Sequence, residues 1–574
     1  MTIKSRWQNE IPSCSLQQWI FGSSRGPLEG SKVFIDADRP DTHYLTINEF
    51  RLVAKRVAIG LQAAGLKPGD RVLVYSGNSI WFPVVLIGVL MAGGIFTGAN
   101  PGFVARELAY QLRDSGASFM FAAPVVMDVA LEAAAEAKMK PSQIFIFDPE
   151  INAKDEEPQY EPDSEGSGTR HWAELLKGTL AKAETWDWVE PANPAEATCC
   201  LNYSSGTTGV PKGVEISHSA YVANGDGVTF VMNLDPDLAV NKKSLTHLCF
   251  LPMYHAMAQT YFVANYPRRR DPTYIMPYFD FEKMLQHVQN YRINALVVVP
   301  PIVVALAKHP LARQYDLSSV ENLGCGAAPL GAEAIKECEA LWPDGSVKIR
   351  QGWGMTEVTC TALGWDPRLE ATETTAVGEL MPNFYAKLVE TDGSDRPITE
   401  ANKRGELWVS GPTMLKGYWN NPQATNATIV YDKEENRRYL RTGDIAYVER
   451  YEAGTPFHVV DRLKELIKVK GNQVAPAELE SVLLQRPDII DVGVVGVTIK
   501  GEEYPRAYVV LAPGVKTTGE DIVKWIEPKV AKYKQLKGGV AIVDAIPKNP
   551  SGKILRKILR EQAKAEVGDK PSKL

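Results

Sequence analysis

The sequence predicts an α/β fold built mainly on parallel sheets, and three observations carry that prediction. Short apolar runs alternate with amphipathic stretches through about the first 400 residues, as in FRLVAKRVAIGLQAAGL before Lys67, FEKMLQHVQNYRI and ALVVVPPIVVALA. The length, 574 residues, corresponds to roughly three to four packing units. The third observation is the uncharged stretch from Val72 to Ala105. It is long enough for a membrane span, yet Ser76, Gly77, Asn78, Pro83, the Gly93–Gly94 pair and Asn100–Pro101 cut it into pieces. RVLVYSG reads as a strand, WFPVVLIGVLMAGG as a buried helix and IFTGANP as a second strand, which is a βαβ unit inside a sheet. No membrane span is expected.

Later elements follow from composition. Residues 151–190 are polar and rich in Pro and Gly, so they read as a surface excursion. After Arg404 the runs shorten to strands such as GELWVSG and RYLRTGDIAYVER; a small α/β piece begins near Glu465, and the tail from Lys553 is helical and charged. With 45% hydrophobic and 23% charged residues the balance is that of a globular protein. A net charge of -6 and a pI near 5.9 give no electrostatic reason to expect nucleic acid. Seven cysteines without a CxxC read as reduced thiols, and MTIKSRWQNEIPSCS lacks the apolar core of a secretion signal.

The sharpest motif is Tyr203-Ser204-Ser205-Gly206-Thr207-Thr208-Gly209-Val210-Pro211-Lys212-Gly213, which follows the strand-like TCCLN. Its glycines free the backbone to aim N–H groups inward, while four hydroxyls and a lysine add donors, a composition suited to polyphosphate. It is not a Walker A loop, because Pro211 precedes Lys212 and Gly213 follows it. Gly22-Ser23-Ser24-Arg25-Gly26 mimics a nucleophile elbow but runs on into Pro27 and Gly30 rather than a helix. Gly324-Cys325-Gly326 starts a dinucleotide fingerprint that fails at Pro329.

Other blocks accompany the loop: Leu251-Pro252-Met253-Tyr254-His255, Gly326-Ala327-Ala328-Pro329-Leu330, Gln351-Gly352-Trp353-Gly354-Met355-Thr356-Glu357, Thr442-Gly443-Asp444, Asp461-Arg462-Leu463-Lys464-Glu465-Leu466-Ile467-Lys468 and Pro550-Ser551-Gly552-Lys553. In this order they resemble the adenylate-forming superfamily of acyl-CoA synthetases, adenylation domains and beetle luciferases. The likeness spans nearly the whole chain and is strongest to the 4-coumarate-CoA ligase group, especially peroxisomal aryl-acid ligases. It implies a large N-terminal domain, residues 1–463, of two sheet-bearing lobes plus a small β-barrel. A small mobile α/β domain, residues 464–574, would turn about a hinge at Lys464.

The resemblance implies two half-reactions: a carboxylate attacks the α-phosphate of ATP to give acyl-AMP, then the thiol of CoA displaces AMP. Ser204, Ser205, Gly206, Thr207, Thr208 and Lys212 would hold the β/γ-phosphates, and cations must neutralise the charge that develops. Thr356 and Glu357 match the nucleotide and Mg²⁺ positions, a carboxylate being a hard ligand. Lys553 matches the lysine bridging carboxylate and α-phosphate. Asp444 would accept from the ribose hydroxyls with Arg462 beside it, Trp353 would stack on adenine, and Ala328, Gln351 and Gly352 complete the nucleotide positions. Lys468 and Gln473 would enter for thioester formation, with Lys470 and Gly471 contacting CoA.

His255 would gate the acyl pocket from the thiol tunnel. It stands where amino-acid adenylating relatives place an Asp, which argues against an α-amino substrate. Tyr254, Met257, Tyr261, Ala327, Gly354 and Cys360 occupy the matched pocket positions; none is charged, so an apolar, aryl-sized acid is expected. A family lysine assigned to CoA appears here as Tyr278, leaving Arg268-Arg269-Arg270 as a candidate source of cations. A medium-chain fatty acid, a luciferase-like oxygenation and a free carrier-protein thiol remain alternatives. Ser572-Lys573-Leu574 reads as an address for the peroxisomal import receptor.

Overall fold

The computed structural model describes residues 1–161, 167–204, 211–239, 244–369, 375–470, 472–549 and 552–567. An eight-stranded sheet runs in the order Gly417–Tyr418, Lys212–Ser217, Thr198–Ser204, Ile95–Ala99, Arg71–Tyr75, Ala117–Ala122, Ile144–Ile146, Arg170–His171. Its centre is parallel: Val72 pairs with Phe96 on one side and Phe119 on the other. The uncharged stretch thus forms the expected strand, helix and strand, with all ten residues of helix Phe82–Met91 buried. The helix is apolar on every side because the sheet and helix Ile47–Ala63 together cover it. No helix of the described residues is long and apolar enough to cross a membrane.

A second sheet of seven strands orders Ile349–Gln351, Asn322–Cys325, Ala295–Val298, His247–Cys249, Thr273–Ile275, Lys32–Asp36 and Tyr44–Thr46, parallel except for the last pair. These are the two lobes. A third, six-stranded antiparallel sheet contains Ile3–Lys4, Tyr385–Val389, Gly405–Ser410, Arg437–Val448 and Ile429–Asp432, with Phe457–Arg462 also paired to Arg437–Val448. The C-terminal part has its own apolar core on Ile489–Ile499, Glu502–Leu511 and Val540–Ile542, covered by helices Pro476–Leu483, Gly519–Ile526 and Arg556–Glu566.

Residues 151–190 correct the sequence reading. The segment is polar but not merely superficial: Trp172 is fully buried, and the buried Arg56 guanidinium donates to the carbonyls of Ala153, Asp155 and Leu176 at 2.7–2.8 Å. One arginine satisfies carbonyls that an irregular segment leaves unpaired, a role invisible in local composition. The seven cysteines are free thiols.

Candidate active site

The phosphate loop joins two antiparallel strands, and Ser204 and Lys212 face each other across that ladder. Ser205, Gly206, Thr207 and Thr208 lie outside the described residues, as does Gly471. Both ends of the loop are gripped from helix Ala105–Ser115. Tyr203 donates its hydroxyl to Asp114 Oδ2 at 2.6 Å, and Tyr110 donates to the Pro211 carbonyl at 2.9 Å. Lys212 Nζ stands 5.0 Å over the Tyr418 ring, whose hydroxyl donates to Glu357 Oε1 at 2.9 Å. Tyr418 therefore ties the loop's lysine to the candidate metal carboxylate. Glu357 is buried in a short helical turn, Thr356–Val358, beginning at Thr356. One carboxylate beside a loop expected to hold polyphosphate would suit Mg²⁺, an ion that usually keeps water and substrate phosphates as its other ligands. Among the described residues no cluster of three or more His, Cys, Asp or Glu could hold a metal by itself.

A cavity of about 80 Å³ adjoins, lined by Ala327, Ala328, Gly352, Trp353, Gly354, Asp444 and Arg462 among others. Ala327 is held at φ +75, a conformation that costs an L-residue energy and concentrates at functional sites. A Cβ on Gly354 would lie 1.6 Å from the Cys360 carbonyl, so only glycine fits. Gln351 does not line the cavity. Its amide oxygen accepts from Leu330 N at 2.9 Å and its nitrogen donates to the Leu330 carbonyl, so it braces the 327–330 loop from behind.

Trp353 has a second role that the resemblance does not imply. Its indole Nε1–H donates to Asp444 Oδ2 at 2.8 Å, while Arg462 Nε stands 3.0 Å from Asp444 Oδ1. The carboxylate is thus held by one hydrogen bond, from the indole, and one ion pair, with Arg462, while Oδ1 accepts no hydrogen bond among the described residues.

Lys553 closes a turn with Asn549, whose Oδ1 accepts from Lys553 N at 2.9 Å. Gly552 needs its φ of +81 and its missing side chain, because a Cβ would crowd Val299 and Pro301 of the large domain at 3.1–3.3 Å. Burial, and secondarily the charge of Arg462, lower the Lys553 ammonium to about 8. Lys464 is lowered to about 8 by partial desolvation of its ammonium and by the charge of Arg462, although the residue as a whole is exposed. His255 caps a short helix, Nδ1 accepting from Met257 N at 3.4 Å, and burial with the nearby Lys553 charge pushes it down to about 4. It is neutral at physiological pH.

Lys468, Lys470 and Gln473 are exposed on the hairpin of Ile467–Val469 and Asn472–Val474 and do not line the cavity. The structure brings Lys553, Asp444, Arg462 and His255 together and leaves this second set outside. The arginine run also departs from expectation. Arg269 pairs with Asp271 at 2.9 Å, Arg270 donates to the Pro267 carbonyl at 2.6 Å, and Arg268 lies over Trp19. These guanidiniums serve their own fold, and Tyr278 stands 65% exposed.

Among the pocket positions, Tyr254 packs against Gly98, where a Cβ would meet Tyr254 Cβ at 2.8 Å. Tyr261 lies on a π-helical stretch, Gln259–Asn265, a rare geometry common at functional sites. Its hydroxyl is 2.9 Å from Thr361 Oγ1, which locks the ring near Cys360. Thr361, Tyr418 and Asp114 escaped sequence reasoning, since each sits outside a patterned block and acts only through a spatial neighbour.

The AMP-binding enzyme family matches residues 29–419, and the family's C-terminal domain matches 478–553. The chain belongs to the AMP-binding enzymes. A phenylacetyl-CoA ligase of Aspergillus niger is 36% identical over 562 residues, covering 96% of this chain and 97% of its own. A peroxisomal OPC-8:0-CoA ligase of Arabidopsis thaliana is 35% identical, covering 96% and 93%, and a 4-coumarate–CoA ligase of Petroselinum crispum is 35% identical, covering 92% and 90%. Among solved structures, an anthranilate CoA ligase in complex with anthranoyl-AMP superposes with a TM-score of 0.77 at 20% identity, covering 96% of this AMP-binding enzyme and 97% of its own chain. ATP-bound MatB from Rhodopseudomonas palustris gives 0.76 at 23%, covering 96% and 99%. Both share the fold.

Proposed function

We propose that this AMP-forming acyl-CoA ligase activates an apolar, aryl-sized carboxylic acid, of phenylacetate or cinnamate type, and passes the acyl group to CoA. The observation that carries the substrate reading is the Tyr261 ring, pinned by Thr361 in a pocket whose matched residues include no charge. A fixed ring shortens the space available to a chain, and a charged tail would be left without a partner. The A. niger and P. crispum relatives, by their names, act on acids of this shape. The luciferase-like and fatty-acyl alternatives gain no comparable support.

In this reading Lys212 and the 204–208 loop hold the β/γ-phosphates, and Thr356 and Glu357 hold the nucleotide with Mg²⁺, which supplies charge neutralisation when bound. Lys553 bridges the attacking carboxylate and the α-phosphate, where charge develops. Asp444, fixed by Trp353 and Arg462, accepts from the ribose. A turn about Lys464 then withdraws Lys553 and brings Lys468 and Gln473, with Lys470 and Gly471, toward the acyl-adenylate for CoA attack. Neutral His255 can step aside between pocket and tunnel at little electrostatic cost.

Peroxisomal import by a receptor reading Ser572-Lys573-Leu574 is part of the proposal. That tripeptide lies outside the described residues, and the OPC-8:0 relative is peroxisomal by name. Deleting it leaves a fluorescent fusion in the cytosol; punctate fluorescence after deletion refutes the address. The substrate reading is tested by AMP release from a panel of carboxylic acids with and without CoA. Aryl acids turning over fastest, and only with CoA, support it; palmitate preferred to every aryl acid overturns it.

A further inference from the structure

Lys308 ends a large-domain helix, Pro300–Lys308, and belongs to none of the patterned blocks. Its ammonium donates to three carbonyls, Leu484 at 2.6 Å, Ile489 at 2.8 Å and Arg486 at 3.1 Å. All three lie on the C-terminal domain, just beyond helix Pro476–Leu483. A helix leaves its last carbonyls without intrahelical partners and carries partial negative charge there. An ammonium with three donors fits that end, and burial lowers its basicity.

The opposite end of the same helix is met in the complementary sense. Ala477 N, in its first turn, donates to Asp461 Oδ2 at 3.0 Å, and Asp461 precedes the expected hinge. Between the two ends Gly331 of the large domain admits Ser481, whose Cβ would lie 2.9 Å from a Cβ placed on Gly331. Helix Pro300–Lys308 also touches the C-terminal domain at its beginning, where Val299 and Pro301 face Gly552, the residue before Lys553. One rigid helix about 14 Å long thus meets the residue before Lys553 and, through Lys308, the end of helix Pro476–Leu483.

We propose that Lys308 is a positioning residue for acid activation: with Asp461 it clasps both ends of helix Pro476–Leu483 and holds the C-terminal domain where Lys553 enters the cleft. The proposal rests on the reading of Lys553 given above. Any turn about Lys464 that exposes the cleft to Lys468 must break the three carbonyl contacts, so the clasp favours one half-reaction alone.

The test uses the full chain with Lys308→Met, which keeps the stem and removes the donors, and Lys308→Arg. Gly331→Ala serves as an independent second variant, because its added methyl presses on Ser481 from the large domain and loosens the same interface. Three readouts are compared: acid-dependent ATP–pyrophosphate exchange, thioester formation from supplied acyl-adenylate, and amide hydrogen exchange over residues 476–490. Lys308→Met and Gly331→Ala should slow pyrophosphate exchange about ten-fold, leave thioester formation within two-fold or raise it, and speed amide exchange, with Lys308→Arg restoring part of each. Equal loss of both half-reactions would mark a general structural role and overturn the proposal, as would unchanged amide exchange in Lys308→Met. If the wild type activated no acid, the reading of Lys553 would fail, and amide exchange would still decide whether the clasp exists.

Discussion

Replacing Trp353 by Phe separates the observed contact with Asp444 from the proposed stacking on adenine. The phenyl ring keeps an aromatic face toward the nucleotide cavity but has no N–H for Asp444 Oδ2, now 2.8 Å from the indole nitrogen. Trp353 is 8% exposed and Asp444 4%, so water cannot readily replace the lost donor. A hydrogen bond to a charged group contributes about 1.5–3 kcal/mol, and a partner left buried without it bears the full loss. That range corresponds to about 10- to 150-fold in an equilibrium constant. Because Asp444 is the proposed ribose acceptor, the loss should appear as a rise in the KM for ATP with kcat at saturating ATP changed less than three-fold. Steady-state AMP release at fixed acid and CoA measures it, and thermal unfolding checks that the variant is folded. A KM for ATP within three-fold of the wild type would show that the indole–carboxylate contact does not prepare the nucleotide site.

Lys553→Ala should lower pyrophosphate exchange by roughly 10²–10³ while thioester formation from supplied acyl-adenylate stays near normal; Lys468→Ala should show the reverse, and equal loss in both variants would indicate one fixed arrangement. Lys553 is held down to about 8, so it carries charge below that pH and loses it above. The kcat/KM for acid activation should therefore fall on the alkaline side of about pH 8, a limb that Lys553→Ala abolishes. Tyr261→Ser removes the ring anchored on Thr361 and should shift kcat/KM toward longer acids by about ten-fold, read from the acid panel. Arg56→Met leaves the carbonyls of Ala153, Asp155 and Leu176 without their donor and should cost about 2–4 kcal/mol in urea unfolding, with little change in KM for any substrate.

The candidate blocks were legible in the sequence where neighbouring residues form one local arrangement. The loop before Lys212, the Gly354 that alone fits against Cys360, and the Gly552–Lys553 turn are local arrangements, and local arrangements leave spaced patterns. The strand, helix and strand of 71–99 were legible for a similar reason, since turn residues punctuate an otherwise continuous apolar run. What failed was inference from local composition. Residues 151–190 look like surface until Arg56, about a hundred positions away, draws their carbonyls inward. Arg268-Arg269-Arg270 look like free cations until Asp271 and Trp19 engage them.

Motif spacing marked the family and the order of the candidate blocks along the chain; the phosphate, ribose and carboxylate roles of their residues are part of the proposal. Tertiary structure alone decided which of those residues meet. Lys468 and Lys553 both belong to the C-terminal domain, yet one is exposed while the other is partly buried and feels the charges of Arg462 and Asp444. That choice depends on contacts between residues far apart in the chain, Lys308 with Leu484 and Gly552 with Val299 among them. Periodicity and spacing record what a segment does with its own neighbours, whereas a domain orientation is set by a few pairings across an interface, each between residues unremarkable in their own surroundings.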